Sequence, residues 1–226
     1  MPGRKDFETR SAEKERLDLG DYRPAEYALW QKEMRVINGW LGDYRALKLA
    51  LKRFEGGENI SILDIGAGAG DLLAWAGEMA EGSFLVGVEL SREAAKTIAG
   101  RTSLTAVRCD ALALPFADGS FDVVISSLFL HHLTDDEVVK CIREAARVAR
   151  RQFIMIDLHR SPRAYRLYQF FAPIFFQPFT VEDGLLSIKR GFRPAELKRL
   201  AGEAGIHNAK VDRTAFRLIL SGHMRG

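Results

Sequence analysis

Apolar residues at Tyr27, Trp30, Met34, Ile37 and Leu41 recur every three or four positions, and Tyr44, Leu47, Leu51 and Phe54 repeat that period beyond Gly42-Asp43. The spacing predicts two amphipathic helices ahead of any strand, placed either to cover a sheet edge or to roof a site. Residues 4–16 differ: nine charges of both signs with almost no apolar period predict a solvated or mobile arm. Gly56-Gly57 then punctuates the approach to the first strand.

From residue 62 onward, short apolar runs alternate with helical patterns. Ile62-Leu63-Asp64-Ile65, Phe84-Leu85-Val86-Gly87-Val88, Leu104 to Arg108, Phe121 to Ile125 and Phe153 to Ile156 read as buried strands. Leu72-Leu73-Ala74-Trp75 opens a helix after the first of them. Thr134-Asp135-Asp136-Glu137 is a capping box for another, whose buried face is Val138, Ile142, Ala145 and Val148 or Ala149. Strands separated by helices imply an open α/β sheet, which takes ligands at the carboxyl ends of its strands. His207 to Arg213 and Ala215 to Leu220 read as a closing antiparallel pair, and Pro194 falls in the first turn of the helix before them. Arg193 stands where a hydroxyl cap is expected, a loss of ~1 kcal/mol for that helix.

Residues 160–191 break the alternation. Tyr165, Tyr168, Phe170, Phe171, Phe175, Phe176 and Phe179 crowd among three prolines, more rings than a crossover requires. A cap over a binding site is the preferred reading, with a helix packed on the core or a homodimer contact as alternatives. Pro173 and Pro178 predict short helical pieces free to move as a lid.

With 226 residues, 47% of them hydrophobic, the chain can bury one sizeable core. We expect one domain: an arm and helical cap over 1–57, a core over 58–159 and 192–226, and the aromatic cap insert over 160–191. No run reaches the ~18 to 20 apolar residues of a membrane span, and the start lacks a signal-peptide core, so a cytoplasmic location is expected. Cys109 and Cys141 have neither metal-ligand spacing nor the number of a disulfide framework. A net charge of +3 is too mild to indicate a nucleic-acid partner.

The chemistry concentrates where the first strand runs into Gly66-Ala67-Gly68-Ala69-Gly70-Asp71. Glycine at alternate positions lets the main chain approach a ligand, and the helix that follows points its amino end at it. Alone, the pattern also suits any tight strand-to-helix turn. It is not the Gly-x-Gly-x-x-Gly that wraps a dinucleotide pyrophosphate. Asp64 puts a carboxylate where a pyrophosphate would be repelled and a cation welcomed. S-adenosylmethionine, with an ammonium and a sulfonium, suits that charge. Glu89, nineteen residues beyond Gly70 at a strand end, can accept hydrogen bonds from both hydroxyls of a ribose. Asp110, after the third strand, suits an exocyclic adenine amine.

The stretch Asp110-Ala111-Leu112-Ala113-Leu114-Pro115-Phe116-Ala117-Asp118-Gly119-Ser120-Phe121-Asp122-Val123-Val124, taken with the glycine loop and Glu89, resembles the class I S-adenosylmethionine-dependent methyltransferases of the small-molecule type over residues 60–157. That resemblance implies a Rossmann-like, doubly wound, seven-stranded, mostly parallel sheet with an antiparallel carboxyl-terminal strand and an amino-terminal helical cap. Carried over by position, Asp64, Gly66, Ala67, Gly68 and Gly70 would hold the methionyl part, Glu89 and Leu90 the ribose, and Asp110 with the Ala111 amide the adenine, with Ser126 also at the cofactor site.

Transfer from a sulfonium needs little acid–base chemistry, and a base matters only when the acceptor is a hydroxyl. His131 and His132, after strand four, are the candidates, followed by His159, with a structural role as the alternative. Tyr165, Tyr168 and Phe171 are the candidate acceptor contacts. No metal is expected, because His131, His132, Asp157 and His159 lack ligand spacing. Methyl transfer to a small or medium apolar acceptor, most simply to oxygen, is the expected function. Ser126-Ser127-Leu128-Phe129 stands where a nucleic-acid or amino-group methyltransferase carries Asn or Asp, then Pro-Pro-Tyr or Phe, which disfavours that class. A non-catalytic S-adenosylmethionine binder that uses the cap as a partner surface is the other alternative.

Overall fold

The computed structural model describes residues 7–51, 59–214 and 216–224. Phe54, the Gly56-Gly57 pair, Ala215 and the side chains of Leu41 and Leu51 lie outside the described residues, as do the first charges of the arm. One turn, α1 (Arg16–Leu19), precedes the two expected helices, α2 (Pro24–Leu41) and α3 (Asp43–Leu51). Then follow β1 (Ser61–Ile65), α4 (Asp71–Met79), β2 (Phe84–Glu89), α5 (Arg92–Ala99), β3 (Thr105–Arg108) and β4 (Phe121–Ser127). The chain continues with α6 (Asp135–Val148), β5 (Ala149–Leu158), α7 (Pro162–Phe175), α8 (Pro178–Arg190), α9 (Pro194–Glu203), β6 (Lys210–Arg213) and β7 (Arg217–His223).

The strands form one seven-stranded sheet in the order β3-β2-β1-β4-β5-β7-β6. β7 runs antiparallel to both its neighbours, and the first five strands pair in parallel. Because alternate side chains of a strand point to opposite faces, the runs read as continuously apolar feed two cores. Leu63, Val124, Phe153 and Met155 pack against Val138, Ile142 and Ala145 of α6 and Leu197 and Leu200 of α9. Ile62, Val123, Ile125 and Ile154 pack against Leu47 of α3, Leu73 of α4 and Ile98 of α5. Strand order reverses at β1, which pairs with both β2 and β4. The crevice at a reversal lies outside the carboxyl ends of these strands, so the fold itself locates the site.

Three expectations require correction. The charged arm is docked over residues 7–16: Phe7 and Glu15 are buried, Ser11 N–H donates to the Lys189 carbonyl, and the Arg10 guanidinium lies 4.2 Å from the Phe192 ring centroid. Its charges lack an apolar period because they pair with charges and carbonyls far along the chain, such as Arg10 with Asp135 at 2.7 Å. The aromatic insert is two full helices, α7 and α8, where short pieces were expected. Pro173 falls in the last turn of α7, where it removes one terminal hydrogen bond, and Pro178 opens α8, where its missing N–H has no partner to lose. Arg193 does not leave α9 uncapped, because its N–H donates to Glu196 at 2.8 Å, one half of a capping box.

Candidate active site

β1 delivers the chain to the glycine loop at the carboxyl edge of the sheet. Gly66 has φ +69°, and a Cβ there would stand 2.5 Å from the Phe129 ring, so conformation and space both require glycine. Gly68 has φ +57°, and a Cβ there would meet nothing within 4 Å, so the loop presents bare backbone to open space. Gly68 N–H donates to Glu89 Oε1 at 2.7 Å and Leu90 N–H to Glu89 Oε2 at 3.1 Å, which pins the carboxylate beside the loop. Burial pushes that carboxyl up, while the N–H groups of Gly68, Ser91 and Leu90 hold it back.

Asp64 is only 2% exposed, lines the same cavity, and its Oδ1 has no hydrogen-bond partner among the described residues. Burial first, and then the charge of Glu89, push its carboxyl well above the usual range. An orphaned carboxylate oxygen beside an open glycine loop fits a cationic ligand, whose charge would relieve both penalties. The ammonium and sulfonium of S-adenosylmethionine meet that requirement. Replacing Glu89 with alanine is expected to weaken its binding by ~1.5 to 3 kcal/mol, the worth of hydrogen bonds to a charged group, as read by titration calorimetry.

The remaining expected cofactor residues divide. Gly70 caps α4 at φ +74°. Asp110 and Ala111 sit one strand away from Glu89, linked by Cys109 N–H donating to the Glu89 carbonyl at 3.1 Å, and Asp110 Oδ1 accepts from Leu112 N–H at 2.9 Å. Leu90 is exposed, and neither it nor Asp110, Ala111 or Gly70 lines the cavity. Ser126 is turned away: its hydroxyl is buried and donates to the Ile65 carbonyl at 2.8 Å, tying β4 to β1, while Ser127 takes the place in the wall.

Beyond β4, a single 3-10 turn (Leu130–His132) carries both histidines. His131 is buried, with Nδ1 2.8 Å from Asp157 Oδ1 and its backbone N–H donating to Asp157 Oδ2 at 3.2 Å. Asp157 sits inside β5, which runs two residues past the apolar run that announced it. Burial would raise the Asp157 carboxyl, yet the charge and hydrogen bond of His131 and the Leu158 N–H hold it below its ordinary value. An ionised carboxylate only accepts, so Nδ1 carries a proton towards Asp157, and Nε2 lies 3.7 Å from Glu15 Oε1. His132 Nδ1 lies 2.8 Å from Asp18 Oδ1. Arg190 fixes the turn by donating to the carbonyls of His131 at 2.9 Å and His132 at 2.8 Å, and to Asp18 at 3.0 Å. Glu15, His131 and His132 offer ligand atoms within 4.8 Å of one another and so form a group able to hold a metal ion, with the Arg190 guanidinium beside them already supplying positive charge.

Glu15 belongs to the segment expected to be solvated and Asp18 lies just beyond it, and no periodic signal marked either. Their effect on titration has a definite sign. Burial would lower the His132 pKa, but the Asp18 hydrogen bond and the charges of Glu15 and Asp18 raise it above 6.5. For Asp18, burial would raise the pKa, and the His132 bond with the charges of His132 and Arg190 brings it below 3.8. A raised histidine stabilises the folded pair below its ordinary value and loses that contribution as pH rises through the folded value; a depressed carboxylate loses its own as pH falls through the folded value. Docking of the arm through this pair is therefore expected to be strongest between about pH 4 and 6.5. Hydrogen exchange over residues 13–20 should quicken above that window, and Asp18→Asn should remove the dependence.

Asp64, the glycine loop, Glu89, Glu15 and both histidines share one cavity of about 720 Å³, within the ~300 to 1,000 Å³ of ligand clefts. It runs from Asp64 and the glycine loop past the histidines to Tyr27, Trp30 and Met34 of α2, which roofs it. Of the seven insert rings, Tyr168, Phe171, Phe175 and Phe176 line it. Tyr165 does not: it packs with Phe7 and Ile188, its ring centroid 5.4 Å from that of Phe7, and is core. Tyr168 spends its hydroxyl on the Thr180 carbonyl at 3.1 Å, which joins α7 to α8. Arg217, which opens β7, also lines the cavity and makes a buried bidentate pair with Asp43 of α3 at 2.6 and 2.8 Å.

Residues 63–156 match the family described as the methyltransferase domain. Among curated relatives, a demethylmenaquinone methyltransferase from Roseiflexus castenholzii is 39% identical over 92 residues, covering 39% of this chain and 37% of its own. An uncharacterised methyltransferase, YcgJ, from Bacillus subtilis is 35% identical over 125 residues, covering 51% of this chain and 47% of its own. The chain thus spans less than half the length of these relatives. A solved S-adenosylmethionine-dependent methyltransferase from Aquifex aeolicus superposes with a TM-score of 0.63 at 18% identity, over 90% of this chain and all of that one. Human N-acetylserotonin methyltransferase, solved with S-adenosylmethionine, gives 0.63 at 16% identity, over 89% of this chain and 57% of that one. At those identities the structures speak to the fold alone, and the matched domain speaks to the family. Residues 63–156 thus carry a methyltransferase domain, and the sheet built around them has the fold of S-adenosylmethionine-dependent methyltransferases.

Proposed function

We propose that this chain transfers a methyl group from S-adenosylmethionine to a hydroxyl oxygen of a small or medium apolar acceptor held beneath α2, α7 and α8. The observation that carries this reading is the Asp157–His131 pair, a buried and oriented imidazole at the edge of a cavity whose other end is the glycine loop. Bound there, S-adenosylmethionine supplies an activated methyl on a sulfonium that leaves as a neutral thioether.

The residues of the chain have separate tasks. Asp64 and Glu89 hold the cationic and ribose parts, and Asp110 with Ala111 borders the adenine end. His131 Nε2 accepts the hydroxyl proton as the oxygen becomes nucleophilic, while Asp157 keeps the ring in the tautomer that can do so. Phe171, Phe175 and Phe176 exclude water and align an apolar acceptor, and alignment alone is worth ~7 to 11 kcal/mol. Tyr168 acts at one remove, by holding α7 on α8. One relative is named for demethylmenaquinone, and an apolar acceptor suits this cavity too.

Conversion of S-adenosylmethionine to S-adenosylhomocysteine, measured against a panel of phenols, apolar acids and lipids, tests the proposal. Turnover that requires a hydroxyl-bearing apolar acceptor is expected. Binding of S-adenosylmethionine without turnover on any of them would make the chain a binder only, and turnover on amines or nucleic acid alone would reassign the acceptor.

A further inference from the structure

Helix α7 has the wrong outer face for one exposed to water. A surface helix normally turns polar residues outward, yet Leu167 is 48% exposed, Phe170 71%, Phe171 50%, Ile174 67% and Phe175 56%. Its inner face is already satisfied by Ala164, Tyr165 and Ala172, which are buried, so the outer residues are surplus to the core. Contiguous apolar exposure of this kind marks an interaction surface. The only charges on α7 are Arg163 and Arg166, both exposed and neither paired with a carboxylate among the described residues. Arg163 lies one turn before Leu167 and two before Phe170, on the same stripe.

The patch reaches the cavity wall. Glu33 of α2 accepts from Gln177 N–H at 3.0 Å, just past the end of α7. Leu29 and Val36, exposed at 44% and 40%, lie one turn to either side of Glu33 on α2. Leu167, Phe171 and Phe175, spaced i, i+4 and i+8, are at once exposed and part of the cavity wall. One row of side chains therefore joins the outer patch to the cavity.

We propose that the outer face of α7 docks on an anionic membrane surface, with Phe170 and Ile174 entering its interface, and that the Leu167–Phe171–Phe175 row admits a lipophilic acceptor from the bilayer. The aromatic and aliphatic side chains of α7, flanked by arginine and with no acidic residue in the helix itself, are what an interfacial helix requires. A protein partner or a second copy seated on this face would cover the mouth that the row forms, whereas lipid leaves a continuous apolar path. Among the described residues no helix is long and apolar enough to cross a membrane, and docking asks for none. The acceptor class rests on the function proposed above; the docking itself does not.

Flotation with vesicles tests it without reference to methyl transfer. The full chain should float with phosphatidylcholine vesicles containing phosphatidylglycerol, and less with phosphatidylcholine alone or at high salt. Phe170→Glu with Ile174→Glu, positions outside the cavity wall, should lower the bound fraction roughly tenfold or more, and Arg163→Ala with Arg166→Ala should remove the preference for the anionic lipid. Unchanged thermal stability and S-adenosylmethionine affinity in these variants would show that folding is intact. Wild-type protein that stays with the aqueous phase, or a doubly acidic variant that floats equally well, overturns the proposal. So does a concentration-dependent dimer that the acidic variant abolishes, which would give the face to a second copy. Flotation without turnover on any acceptor would leave docking standing and sink the proposed reaction instead.

Discussion

His131→Gln is expected to lower kcat for a hydroxyl acceptor by a factor of about 10² to 10⁴, the usual contribution of a positioned base, with S-adenosylmethionine affinity nearly unchanged. The two effects separate because His131 lines the cavity on the side proposed for the acceptor and makes no hydrogen bond to the glycine loop, Asp64 or Glu89 among the described residues. Asp157→Asn should give most of the same loss. An amide can donate to Nδ1, which would leave the proton on Nε2 and remove the lone pair from the cavity side. The same substitution at His132 should cost far less in rate, because its Nδ1 is engaged with Asp18 of the arm. Equal losses at both histidines, or none at His131, would leave the pair a structural role. Single-turnover rates with saturating S-adenosylmethionine distinguish these outcomes.

The largest expected loss of stability comes from Arg217→Met. Asp43 and Arg217 are each 1% exposed, and removing the guanidinium would strand a buried carboxylate with, among the described residues, only the Ser127 hydroxyl, 3.4 Å away. Breaking such a pair costs about 3 to 5 kcal/mol, against a total stability of about 5 to 15 for a typical domain. The pair joins α3 to β7, so the loss should appear as a lower urea midpoint for the whole sheet. Replacing both partners, Asp43→Leu with Arg217→Met, should recover most of it, because apolar pairs of similar volume are often neutral in place of buried ions. If the double variant is no better than the single one, shape and not charge holds this junction.

The glycine loop and the carboxylate pinned beside it were legible because their requirements are local. Gly66 and Gly68 are dictated by φ and by the approach of backbone to ligand, and Glu89 follows from the length of one strand–helix–strand unit. Each sits at a strand end, which continuous apolar runs make visible. The histidine side of the cavity was less so. Asp157 could be placed at a strand end, but its role depends on β5 lying beside β4, a tertiary fact. Tyr165 and Tyr168 are alike in sequence and opposite in fate, because three residues along a helix turn one ring to Phe7 and the other to the cavity. Ser126 and Ser127 part for the same reason with the period of a strand. The arm misled most: mixed charge without apolar period normally means solvation, and only the fold shows Arg190, Asp135 and Asp183 waiting for it.

The order in which the site assembles follows from that arm. Glycine loop, Glu89 and Asp110 lie within fifty residues of one another, so the cofactor half can form from near neighbours along the chain. The contacts that close the other half join Arg190 to Asp18 across 172 positions and Arg10 to Leu133 across 123. On a chain emerging from the ribosome, residues 10–18 are made early but cannot complete their contacts until α8 appears, long after the first strands have paired. Loop closure over such distances costs little more than over shorter ones, so the delay is one of sequence and not of energy. A half-made chain would thus present a nucleotide-binding fold with an open flank, and its histidines would gain their full set of partners only once the two distant segments meet.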